Sequence, residues 1–85
     1  MFYVYVLYSQ KSNRYYVGLT TNIKRRLNEH NNGKNASTKA FLPWKVIYNE
    51  SFDTRLEARR REKYLKTAAG RKWRKANIRP RGATE

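Results

Sequence analysis

The sequence predicts an α+β fold, and three observations carry that reading. Two runs rich in β-branched and aromatic residues, Phe2 to Tyr8 and Tyr15 to Leu19, lie close together at the N-terminus. A third run of this kind, Trp44 to Tyr48, is set apart from them by polar sequence. The stretches between and after these runs carry capping residues and apolar side chains at helical spacing.

The polar stretch Ser9 to Arg14 joins the first two runs as the loop of a β-hairpin. Alternation puts Tyr3, Tyr5 and Leu7 on one face of the first strand and Phe2, Val4, Val6 and Tyr8 on the other. Both faces are apolar, so the hairpin is expected to be covered on both sides. Thr20 and Thr21 can cap a helix from about Asn22 to Asn32, and Gly33 stands where helices are often closed by a left-handed residue. Along that helix Ile23, Arg26, Leu27 and His30 share one sector, so two polar groups border the apolar stripe. A polar loop from Gly33 to Lys39 precedes the third strand, which Pro43 introduces. Thr54-Arg55-Leu56-Glu57 has the capping-box pattern and opens a long helix expected to end at Gly70. A shorter helix is expected from Arg71 to Asn77. One domain is therefore placed at 1–78, and the segment Arg79 to Glu85, with Pro80 and Gly82, is expected to be a mobile basic tail.

A chain of 85 residues has room for a single small core. With aromatics at 14%, rings such as Trp44, Trp73 and Phe52 are expected to supply much of the burial. There is no cysteine, which excludes a disulfide framework and a thiolate zinc site, and one histidine excludes a histidine cage. Phe2 to Tyr8 is too short and too rich in tyrosine for a signal peptide or a membrane span, so a soluble, intracellular protein is expected. The net charge of +14 favours a polyanion, nucleic acid first, over an acidic membrane surface or a solvated basic surface without a ligand, and charge alone does not choose DNA over RNA. Lys24, Arg25, Lys34, Lys39, Arg59, Lys63, Lys66, Arg71 and Lys72 are the cations expected to meet its phosphates. Spread over several helix faces, they suit backbone binding rather than base readout.

Five side chains stand out for chemistry. Ala58, Glu62, Leu65 and Ala69 recur at helical spacing, which sets a carboxylate in the stripe expected to face inward. Glu62 is then either the partner of Lys66 or a nearby arginine, or a ligand for Mg²⁺ or Mn²⁺, since these cations accept one carboxylate with waters and substrate phosphate. Arg26 and His30, one helical turn apart, can address a single phosphate: the arginine fork matches its oxygens, and the imidazole titrates near neutrality. Tyr5 and Tyr16 are either core rings or site residues. A free phenol, with its pKa near ~10, serves as a base only with help from neighbouring cations or a proton acceptor. Gly18, without a side chain, permits close approach beside Tyr16.

Taken together, Tyr3-Val4-Tyr5, Tyr16-Val17-Gly18, Arg26, His30 and Glu62 resemble the signature of the GIY-YIG nuclease family. Ten residues separate Tyr5 from Tyr16, Arg26 follows Tyr16 by ten and His30 follows Arg26 by four. The resemblance spans roughly residues 2 to 78 and is strongest to small stand-alone bacterial members, similar to the N-terminal nuclease domain of the bacterial repair excinuclease. It implies a three-stranded antiparallel sheet flanked by helices and metal-dependent hydrolysis of phosphodiesters in DNA repair or recombination. By resemblance Glu62 corresponds to the metal ligand, Arg26 to the phosphate clamp, and Tyr5 to the residue that activates water, aided by His30, with Tyr16 in support. Asn77 corresponds to a late asparagine of some members. Two departures are evident: the first triplet keeps only its tyrosine, and Leu19 stands where excinuclease-type domains often have lysine. Family members often take specificity from a further DNA-binding domain. The expectation here is weak selectivity for structured or branched DNA, or a protein partner that directs it. The competing reading is a DNA- or RNA-binding module with the nuclease fold and little or no cleavage.

Overall fold

The computed structural model describes residues 1–78; the expected mobile tail over 79–85 lies outside the described residues. Strands β1 (Phe2–Ser9), β2 (Arg14–Thr20) and β3 (Lys45–Phe52) form one antiparallel sheet in the order β2-β1-β3. Helix α1 (Ile23–Asn31) and a single 3-10 turn (Lys39–Phe41) lie between β2 and β3, and α2 (Arg55–Leu65) and α3 (Ala68–Asn77) follow. The fold is α+β with the sheet flanked on both sides.

The alternation of β1 explains the layering. Val4 and Val6 join Val17, Ala58, Leu65 and Ile78 on the face covered by α2 and α3. Tyr5 and Leu7 join Trp44 on the other face, where Ile23 and Leu27 of α1 pack against them. Central β1 is thus buried on both sides, and each fully buried aliphatic side chain there contributes on the order of 2 kcal/mol. Trp44 is in the core and Trp73 packs at its margin against Tyr48, as the shortage of core area led us to expect. β2 is an edge strand, and this leaves one side of the sheet open beside the functional residues.

Several boundaries differ from the sequence reading. Each strand runs further than its apolar run, since ladder pairing continues through the polar residues Ser9, Arg14 and Ser51. Asn22, rather than Thr20 or Thr21, caps α1: its side chain accepts the Arg25 N–H at 3.0 Å, while Thr20 Oγ1 accepts the Asn22 N–H. Gly33 does close α1 with φ +73, and the Gly33 and Lys34 amides bond back to the carbonyls of His30 and Glu29.

The expected long helix ending at Gly70 is two helices. Thr54 caps α2 as predicted, with its hydroxyl donating to Glu57 Oε1 at 2.8 Å. The helix stops at Leu65, and Thr67 starts α3 by accepting the Gly70 N–H at 3.1 Å. Gly70 lies inside α3 and is buried so closely that a Cβ there would overlap the Tyr64 carbonyl and sit 2.6 Å from Leu65 Cα. It is the contact point of a tight corner, not a helix end. Ala58, Glu62 and Leu65 are buried as the spacing predicted, but the corner turns Ala69 out to solvent.

Candidate active site

Tyr5 projects from the middle of β1, and its cross-strand partner on β2 is Gly18. A Cβ at Gly18 would collide with the Tyr5 hydroxyl and ring, so the glycine makes room for that ring rather than for a phosphate. Laid over Gly18, the Tyr5 hydroxyl meets His30 Nε2 at 3.1 Å. His30 is the one fully buried side chain of α1, and its Nδ1 lies 2.9 Å from the hydroxyl of Thr38. Thr38 donates its own proton to the Asn35 carbonyl, so its lone pair faces Nδ1. The hydrogen-bond network therefore assigns the neutral imidazole its proton at Nδ1 and leaves Nε2 to accept from Tyr5. Trp44 anchors the same loop by donating Nε1–H to the Thr38 carbonyl.

Tyr16 completes the cluster. Its ring packs edge-on against His30 with centroids 4.7 Å apart and lies 6.2 Å from the Tyr5 ring. Arg26, one turn before His30, is held by Glu29 at 2.9 Å and interacts with Tyr5 and, more weakly, Tyr16. That pairing with Glu29, reinforced by the phenols, raises its pKa above an already high value, so it is a permanent cation.

The electrostatics constrain the chemistry. Burial pushes the Tyr5 phenol up to about 12, against the pull of Arg26. Burial and then the charge of Arg26 push His30 below its usual value. At neutral pH the pair is a protonated phenol donating to a neutral imidazole. Tyr5 cannot reside as a free phenolate, but it can pass its proton to Nε2 as it takes one from elsewhere.

Glu62 sits on α2, which covers the other face of the sheet. It is the one buried carboxylate among the described residues, at 6% exposure. Arg59 contacts its Oε1 at 3.0 Å and Lys66 its Oε2 at 3.1 Å, so the ion-pair alternative raised by the spacing is realised. The structure does not bring Glu62 into direct contact with the tyrosines. It is near enough to add to the forces raising the Tyr5 pKa, and its partner Lys66 lines the same cavity as Tyr16. Glu62 itself is not among the residues lining that cavity, so Lys66 is the link between the two halves of the predicted site. Among the described residues no group of three His, Cys, Asp or Glu side chains surrounds a common point. A hard divalent cation is nevertheless compatible with Glu62: one carboxylate suffices when waters and phosphate complete the shell, and the two side chains now paired with it are about half exposed, free to release it.

Asn77 does not join the cluster; it is exposed and donates to the Trp73 carbonyl of its own helix. Lys24, Arg25, Lys34 and Lys39 are exposed around α1 and the following loop, whereas Arg59, Lys63, Lys66, Arg71 and Lys72 are exposed on α2 and α3. Sequence reasoning passed over Thr38. A threonine in a polar loop carries no periodicity, and only its bond to His30 distinguishes it.

An α+β domain with a buried tyrosine hydrogen-bonded to a histidine, a second tyrosine packed edge-on against that histidine and an arginine beside them on a three-stranded sheet defines a nuclease-like class. The family model described as the GIY-YIG catalytic domain matches residues 1–77, and the chain belongs to that family. A UPF0213 protein of Streptococcus agalactiae is 48% identical over 65 residues, covering 75% of this chain and 73% of its own. One from Staphylococcus haemolyticus is 44% identical over 66 residues, covering 76% and 79%. The solution structure of a UPF0213 protein from Bacillus halodurans aligns with a TM-score of 0.53 at 33% identity, over 89% of this chain and 82% of that one. The chain is thus similar to small stand-alone bacterial members of the family. Among the described residues no helix is long and apolar enough to cross a membrane.

Proposed function

We propose that this protein is a metal-dependent endonuclease that hydrolyses phosphodiester bonds in DNA with little sequence preference, in repair or recombination, with residues 1–78 as the nuclease domain. The observation that carries the reading is the buried hydrogen bond from Tyr5 to His30 Nε2, with Arg26 at its mouth. A core tyrosine needs only some acceptor. Here it has the one side chain that can take a proton near neutral pH, held in the required tautomer by Thr38. Tyr5 takes the proton of the attacking water while handing its own to His30. Arg26 holds the scissile phosphate and offsets the charge that grows on it in the transition state. Tyr16 orients the phosphate or water through its hydroxyl. Glu62 would hold Mg²⁺ or Mn²⁺, which supplies charge neutralisation at the phosphate when bound.

The second reading, a DNA- or RNA-binding module with little or no cleavage, draws on the pairing of both Glu62 oxygens with cations. One experiment separates the two. Cleavage of single strands, duplexes, flaps and junctions is followed with Mg²⁺ or Mn²⁺, and binding in chelator, for the wild-type protein and Glu62→Gln. The nuclease reading expects metal-dependent cleavage that the variant loses while binding holds or tightens. Absence of wild-type cleavage on every substrate, with binding retained, establishes the binding module. A variant that loses thermal stability yet still cuts with unchanged metal dependence makes Glu62 a structural partner of Arg59 and Lys66.

A further inference from the structure

A cavity of about 490 Å³ opens along the outer edge of β2, a size in the range of small-ligand sites. Tyr16 forms part of its wall, so it adjoins the proposed active site. Four cations line it: Arg14 from β2, Lys66 from the end of α2, and Arg71 and Arg74 from α3. Among the described residues no acidic side chain lines it. Convergence of like charges around a concave surface is unfavourable in the empty protein and favourable once an anion enters. Phe41 and Trp44 add apolar rings to the lining.

Arg74 gives the cavity a specific feature. Its guanidinium lies over the Tyr15 ring, with Cζ 5.6 Å from the centroid. Its Nε is the one buried side-chain nitrogen or oxygen without a hydrogen-bond partner among the described residues. A buried donor left unpaired costs on the order of 1–3 kcal/mol, more when charged, unless a ligand completes it. Burial also lowers the pKa of this arginine, the direction expected for a cation lacking a counter-charge. The neighbouring Lys66 is different, because Glu62 already pairs with it.

We propose that this cavity is a subsite for a neighbouring phosphate of the nucleic-acid strand, one nucleotide removed from the bond held at Arg26, with Arg74 and Arg71 as its main ligands. The assignment rests on the nuclease reading for which strand occupies it. Tyr16, which lines the cavity and interacts with Arg26, is the shared wall between the two phosphate positions. Such a subsite would fix the strand's register across the edge of β2 without reading its bases.

The test uses thymidine 3′,5′-bisphosphate as the probe, titrated into the full chain in chelator and followed by amide chemical shifts, with unphosphorylated thymidine alongside. Saturable shifts at Val17, Ser37 and Thr38 with the bisphosphate, and none with thymidine, are expected. Arg74→Met should weaken the probe roughly 10-fold or more, and Arg74→Lys by less, as loss of a charge-assisted hydrogen bond predicts. Arg60→Met, which removes the same charge from the exposed face of α2, should change affinity by less than about 2-fold if the site is local rather than diffuse. Equal weakening by Arg60→Met and Arg74→Met, or shifts that avoid the cavity, would overturn the proposal. If circular dichroism shows Arg74→Met unfolded, Arg71→Met on the exposed face of α3 takes its place, and unchanged affinity in that variant is equally fatal. Probe binding in the cavity by a protein that never cleaves would support the subsite while removing the nuclease reading. Cleavage without cavity binding would do the reverse.

Discussion

Tyr5 is subject to two opposed demands, and this makes it the most informative residue to change. Burial pushes its pKa up to about 12, which by itself disqualifies it as a base. The bond to His30 restores the role by giving its proton somewhere to go. Tyr5→Phe keeps the ring that Gly18 accommodates and should cost roughly 10²-fold or more in the single-turnover rate, the scale of general-base catalysis. Tyr16→Phe should cost less, and neither should much alter binding; near-wild-type cleavage by both would falsify the relay. Because His30 must be neutral to accept, and burial holds it below the ordinary histidine value, the acid limb of the wild-type rate should fall below pH ~6.5. Thr38→Val removes the acceptor that fixes the tautomer while leaving the backbone bond to Trp44 in place. It should slow cleavage about 10-fold, in line with the loss of a partner that orients a reacting imidazole, and Thr38→Ser should restore it. A purely structural Thr38 would instead show as a lower melting temperature with an unchanged rate.

Among the elements, the strand set by side-chain alternation was legible, as were the Thr54 cap and the Gly33 close, whereas the α1 cap was placed too early and the corner set by close backbone contact was not seen. Val4 and Val6 against Tyr5 and Leu7 announce a strand covered on both faces, and that is how β1 lies. Gly33 announces the close of α1 and closes it. The corner after Leu65 was hidden because Ala69 continues the helical spacing across it, while the cause, Gly70 against the Tyr64 carbonyl, is a contact between backbones. Thr67 was the available clue, a capping residue three positions before that glycine. Gly70→Ala therefore tests the corner. Neither the Tyr64 carbonyl nor Leu65 Cα can yield as a flexible side chain would, so the added methyl should destabilise the protein by about 3 kcal/mol, the upper range of overpacking. For a domain of this size that lowers the melting temperature by roughly 12 °C or more. An alanine variant that melts with the wild type would mean that α2 and α3 do not meet as described. In that case Lys66 and Arg74 would lose their shared position at the cavity as well.

For the whole molecule, the order Tyr5, Tyr16, Arg26, His30 was enough to locate half of the candidate site, because α1 and the hairpin bring those residues into one cluster. The relation of Glu62 to that cluster depends on how α2 lies across the opposite face of the sheet, which no spacing in the sequence encodes. The same architecture limits how the charge of +14 can act. Lys24 and Arg25 ride on the helix packed against one face of the sheet, whereas Arg59 and Lys63 ride on the helix packed against the other. A duplex docked at the β2 edge can reach only part of each set, and Arg26 and Glu29 already neutralise one another in the free protein. If about 5 phosphates are engaged, the logarithm of the binding constant should fall against the logarithm of salt concentration with a slope of roughly −4 to −5 on duplex DNA. The measurement is a fluorescence-anisotropy titration in chelator across a range of salt, repeated on unrelated duplex sequences. A slope near −9 would mean about 10 phosphates engaged and a nucleic acid that wraps both faces, in conflict with docking at one edge. Affinity independent of salt, or confined to one sequence, would remove the electrostatic account of binding altogether.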